Sequence, residues 1–143
     1  MLEPRNSSAA GEGSRVVLDS LSAINAGDLE RALSHLADDA ECTLIGIAPG
    51  HPRALRGKEQ LRSWFGDLAA QHLRIEADIL ATKATIVTAG TLSWTDSTRQ
   101  LGVAPLAATA QVLIDHGKIS RIQWTIHPES AAKLRAALAH AQE

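Results

Sequence analysis

Gln111–Ser130 reads QVLIDHGKISRIQWTIHPES, and the rest of the chain can be placed relative to it. It divides into a strand, a tight turn at Asp115-His116-Gly117, a second strand, and a helix start at Pro128. The second strand alternates strictly. Ile122, Trp124 and Ile126 point to one face, and Arg121, Gln123, Thr125 and His127 to the other. One of those faces is apolar enough to need a cover.

Upstream, Leu106–Asp115 is the partner strand, and Ala84–Thr95 and Arg74–Ala81 supply two more. After Thr95, Asp96-Ser97-Thr98 reads as a turn, and Gly102–Pro105 as a bend, since Pro105 cannot donate to a ladder. Before Leu73 the period becomes helical. Leu61, Trp64, Phe65 and Leu68 form one apolar face of a helix starting near Lys58. Gly46–Gly57, with His51 and Arg53, reads as a loop, and Cys42–Ile45 as a short strand. Ser14 caps a first helix carrying Val17, Leu18, Leu21 and Ile24. Gly27 ends that helix and Asp28 caps a second, with Leu29, Ala32, Leu33 and Leu36, closed by Asp38 and Asp39. Helices followed by antiparallel strands are an α+β pattern, with amphipathic helices covering one face of one curved antiparallel sheet. Residues 1–13, rich in Ser, Gly, Ala and Glu, are expected as a flexible N-terminal tail, and 14–143 as a single domain.

Composition narrows the function classes. The 143-residue chain has a net charge of −2 and only 3% aromatic residues, with no Tyr. That argues against nucleic acid as a partner, because base stacking needs aromatics beside basic groups. Cys42 is the single cysteine, so no internal disulfide forms, and a reducing, cytoplasmic location is expected. No apolar run approaches the ~20 residues of a membrane helix, so no membrane partner is expected. The first residues lack the apolar centre of a secretory signal. The six His show no HExxH or His-x-His spacing, so no metal site is expected; no cofactor is expected either.

Three segments carry a resemblance: AINAGDLERALSHLADDAECTL (Ala23–Leu44), LRGKEQLRSWF (Leu55–Phe65) and IDHGKISRI (Ile114–Ile122). In this order and spacing the chain resembles the nuclear-transport-factor-2-like (NTF2-like) superfamily, in the branch of ketosteroid isomerases and SnoaL-like polyketide cyclases. The resemblance implies a cone-shaped, cystatin-like roll. A curved sheet wraps around three N-terminal helices, a short C-terminal helix follows, and a pocket opens at one end. It also implies a homodimer through the outer sheet face. The fold hosts enzymes and non-enzymes alike. Position by position, the general base of ketosteroid isomerases falls on Leu44, the oxyanion-hole Tyr near Ser20 and the neutral Asp near Ala110. Leu cannot abstract a proton and Ala cannot donate to an oxyanion. Nor is the Arg/Asp arrangement of limonene-epoxide hydrolases evident.

The ligand-binding candidates are therefore Ser20, Leu44, Trp64, Ala110, Ile122, Trp124 and Ile126. Two readings of the space they face stay open: a cavity for a small apolar ligand, or a core filled by helix side chains. Burying ~100 Å2 of ligand there would contribute roughly 2.5 kcal/mol. The candidate proton-transfer groups are Asp96, beside Arg99, and His127. Each has a plainer alternative: a turn-stabilising ion pair worth ~0–1 kcal/mol, and a surface or dimer-interface His. His35 with Asp38 and Asp39 reads as helix-end charge rather than a metal site, and Cys42 as a small buried hydrophobe. Trp94 is compatible with core, pocket or dimer contact. Arg121, Gln123, Thr125 and His127, with Thr109 and Gln111, make a polar stripe that suits a dimer surface. Function reads as binding of a small apolar molecule in the cone. The alternatives are an isomerase, cyclase or hydrolase acting on a polycyclic or other apolar substrate, and an accessory dimerisation module.

Overall fold

The computed structural model describes residues 5–46 and 53–141. In order these are α1 (Arg5–Asn25), α2 (Leu29–Ser34), β1 (Leu36–Ile45), β2 (Arg53–Arg56), α3 (Lys58–Ala70), β3 (Arg74–Lys83), β4 (Ile86–Trp94), α4 (Asp96–Gln100), β5 (Leu106–Asp115), β6 (Lys118–Ile126) and α5 (Pro128–Ala141). The strands form one six-stranded sheet, ordered β2-β1-β6-β5-β4-β3.

The β5–β6 hairpin is as its sequence indicates. Asp115 pairs with Lys118 across a two-residue turn. His116 and Gly117 in that turn have φ of 53° and 75°. Two successive positive φ values match the right-handed twist of the flanking strands. β4 and β3 continue the meander antiparallel.

The sheet is mixed rather than wholly antiparallel, because β1 runs parallel to β6. No short turn joins these two strands, so nothing local forces them antiparallel. β1 is also longer than expected. α2 ends at Ser34, and Leu36, Asp38 and Asp39 lie in β1 instead of extending the helix. His35 caps α2, and its carbonyl accepts the Ile119 N–H at 2.7 Å. Ladder pairing with β6 therefore overrides a helical period that would have included Leu36.

Three further boundaries differ from the sequence reading. α1 begins at Arg5, so residues 5–13, expected as a tail, lie in a helix. Gly13 packs so closely that a Cβ there would come within 3.2 Å of Val87 Cγ2, which ties this turn to the sheet. The Gly46–Gly57 loop contains β2, which pairs with β1 and carries Arg53; His51 lies outside the described residues. The expected turn at Asp96 is α4. A reciprocal bond between the N-cap Thr95 and Thr98 starts it, satisfying donors that a bare turn would leave open.

Helices α1 and α3 lie on one face of the sheet. Leu33, Leu36, Leu44 and Leu61 are fully buried there, with Cys42 among them. α1 is fixed to the edge strand β3 by one side chain. Asn25 Nδ2 donates to the Ile75 carbonyl at 2.8 Å, and the Ile75 N–H donates to Asn25 Oδ1 at 2.7 Å. Next to the main core, Ala108, Ile126 and Ala131 form a second cluster. Ser130, in the first turn of α5, accepts the Ala107 N–H at 2.9 Å.

Candidate functional site

The inner face of the meander carries small residues in register. Ala110 stands opposite Ala89 on one side and Trp124 on the other. Alanines there leave room that larger β-branched residues would fill. Val17, Leu21 and Ile24 of α1 and Trp64, Phe65 and Leu68 of α3 roof that room. The result is an apolar cavity of about 80 Å3. Three aromatic rings define one wall. Trp64 meets Trp124 edge-on, with centroids 6.1 Å apart and planes at 73°, and Phe65 lies 5.2 Å from Trp64. Edge-to-face contact of this kind adds to the gain from burial.

Few lining groups are polar, and Thr91 and Trp124 are paired with each other. Trp124 Nε1 donates to Thr91 Oγ1 at 3.0 Å. The Thr91 hydroxyl donates to the Ala108 carbonyl at 3.3 Å. Cys42 also reaches the wall. Burial pushes its thiol up to about 12, so it stays protonated near neutrality and is a poor nucleophile.

Of the seven ligand-binding candidates, Trp64, Ala110, Ile122 and Trp124 line this cavity. Ser20 is buried on α1, outside the lining, and Leu44 is 1% exposed in the adjoining core. Ile126 belongs to the second cluster. The sequence alone does not single out Thr91. Its only signal is a polar residue at an inward position, on the same face as an indole that needs an acceptor.

The ionisable candidates lie elsewhere. Asp96 accepts from His72 Nδ1 at 2.8 Å and sits 3.9 Å from Arg99, with all three side chains well exposed. It starts α4 in an ion pair and is not among the residues that line the cavity. His127 is exposed, with Nε2 2.8 Å from Thr109 Oγ1. It borders a shallow outer groove with Glu76, Asp78, Leu80 and Leu92. Trp94 is half-buried at the end of β4. His35 Nε2 lies 2.5 Å from Asp19, which also pairs with Arg31. The Arg31 guanidinium, and then His35, hold the Asp19 carboxyl down at about 2. Among the described residues no three metal-ligating side chains come together. No described helix is long and apolar enough to cross a membrane.

A family model for the SnoaL-like domain matches residues 17–122. Comparison with curated proteins finds no match. Among solved structures, an NTF2-like protein of unknown function from Cytophaga hutchinsonii is similar with a TM-score of 0.65 and 14% identity, over 82% of this chain and 91% of that one. A cystatin-fold protein from Novosphingobium aromaticivorans is similar with a TM-score of 0.62 and 20% identity, over 78% and 96%. SalBIII, an epoxide hydrolase/cyclase-like enzyme in pyran ring formation of the polyether salinomycin, is similar with a TM-score of 0.67 and 15% identity, over 84% and 94%. At these identities the likeness is one of fold.

Proposed function

Because the chain belongs to the SnoaL-like domain family, we propose that it binds a small apolar group in the cavity between α1, α3 and the inner sheet face. The observation that carries this is the lining: Trp64, Phe65, Ala110, Ile122 and Trp124 face a space that Asp96 and His127 do not reach. A group that burial alone retains needs no charged hook. Size narrows the ligand. A cavity of about 150 Å3 holds benzene, so about 80 Å3 takes the tip of a larger molecule or one short alkyl group. Of a polycyclic ligand, one ring edge enters at most. The mapped ketosteroid-type positions, Ser20, Leu44 and Ala110, offer no acid or base, which favours binding over proton transfer.

Ala110→Leu tests this reading by filling the space from the sheet side. In the wild type, a short alkene should produce saturable NMR shifts at the indole N–H groups of Trp64 and Trp124. In a folded Ala110→Leu variant those shifts should fall at least tenfold in apparent affinity, about 1.4 kcal/mol. Equal binding by both proteins would sink the assignment. Turnover of an apolar epoxide or ketone by the wild type would favour an isomerase, cyclase or hydrolase instead.

The same reading includes a homodimer through the outer sheet face and a cytoplasmic location. Leu80, Ile86 and Leu92 are 62%, 43% and 39% exposed, on the side of β3 and β4 away from the helices. Apolar side chains beside a polar stripe suit a self-complementary contact. Sedimentation at micromolar protein should give the mass of two chains; a clean monomer refutes the dimer. The single buried thiol of Cys42 is compatible with a reducing compartment.

A further inference from the structure

We infer that Thr91 makes the cavity selective for a hydrocarbon end group, by committing the indole N–H of Trp124 and its own hydroxyl proton before a ligand arrives. This rests on the cavity reading above and specifies its ligand class. Trp124 is on β6 and Thr91 on β4, with β5 between them. The indole reaches across because the intervening inward positions are Ala108 and Ala110, which pair with Thr91 and Trp124 respectively. The bond from Trp124 Nε1 to Thr91 Oγ1 is 3.0 Å, and the onward bond to the Ala108 carbonyl is 3.3 Å. Thr91 is 7% exposed, so water does not compete freely for either bond.

The chain of bonds ends on a backbone carbonyl, so no strong donor is left over. A ketone, ester or carboxylate brings only acceptors. Entering here, it would lose its hydration and meet just the Cys42 thiol, a weak donor. An alkyl or alkenyl group has nothing to leave unsatisfied. A smaller apolar residue in place of Thr91 would still leave a greasy pocket, but one with an unpaired indole N–H at its wall. Thr91 thus does more than line the wall: it removes a hydrogen-bond site that Trp124 would otherwise offer.

The test compares two probes of nearly one shape, 2-methyl-1-pentene and 2-pentanone, which differ by =CH2 against =O. Binding is followed by protein NMR at the Trp124 indole N–H. The wild type should bind the alkene at least tenfold more tightly than the ketone. In Thr91→Ala, which removes the hydroxyl and clears the space beside the indole N–H, that ratio should fall by about tenfold, and the ketone should shift the Trp124 indole proton downfield. Thr91→Ser keeps the hydroxyl and should retain the wild-type ratio, which a purely space-filling role would not require. Thr91→Gly is the substitute should the alanine variant not fold. An unchanged ratio in folded Thr91→Ala or Thr91→Gly, with the alkene still bound, overturns the role of Thr91 alone. No binding of the alkene by the folded wild type overturns the cavity reading and this selectivity with it.

Discussion

The two faces of β4, β5 and β6 are made by alternate residues of the same strands, yet they have opposite chemistry. Inward, Ala89, Thr91, Ala110, Val112, Ile122 and Trp124 surround a cavity, and the two polar groups the strands place there bond to each other. Outward, Thr109, Gln111, Arg121, Gln123 and His127 carry polar or ionisable ends, and Thr109 and His127 pair in the open. One residue of register separates the two sets. Asp96 at the start of α4 and His127 on the outer side, the candidate proton-transfer groups, are both outside the cavity lining, which is why the proposed reading has the space select by shape and polarity.

The largest expected effect bears directly on that contrast. Leu44 is 1% exposed on the inner side of β1, while Gln123 is exposed on the outer side of neighbouring β6. Leu44→Ala should cost about 2–5 kcal/mol through lost transfer energy and the void left behind. Gln123→Ala should change stability by no more than about 0.5 kcal/mol. Urea denaturation of both variants measures the difference, and comparable losses would erase the distinction between the faces.

The smallest expected effect concerns the charges held outside. The Asp19 carboxyl lies at about 2, below its ordinary value of 3.8, chiefly because Arg31 bonds to it and secondarily because His35 does. A depressed carboxylate stabilises the fold above its unfolded pKa. That contribution fades as pH falls through the interval between 3.8 and about 2. Asp19→Asn should therefore flatten the decline of Tm within that interval, and added salt should shrink the gap between the two proteins. An identical acid slope in the variant would mean that this surface cluster does not govern acid sensitivity.

Much of this arrangement is legible in the sequence because it is local. The β5–β6 hairpin follows from alternation and a His-Gly turn, and the face of α3 from the spacing of Leu61, Trp64, Phe65 and Leu68. What escapes is what depends on distant segments meeting. The parallel pairing of β1 with β6 has no turn to announce it. Nor does the sequence announce that α1 runs through Gly13, which packs near Val87 of a distant strand. The cavity was half legible for a similar reason. Trp64, Ala110, Ile122 and Trp124 reach it, whereas Leu44 and Ile126 stand one inward step beyond Cys42 and Trp124 on their strands. Thr91 is invisible without register, since its partner lies two strands away.

Asn25 has a consequence at the rim of the sheet. β3 is an edge strand, and the outward N–H and carbonyl of Ile75 would be its first rung for any foreign strand that came alongside. The Asn25 amide offers one donor and one acceptor in the spacing of a peptide group and occupies both. A single side chain thereby serves as a one-residue strand, closing the start of that edge to the intermolecular zippering through which exposed edges seed aggregates. Asp in its place would keep the acceptor and lose the donor, leaving the Ile75 carbonyl open to a stranger.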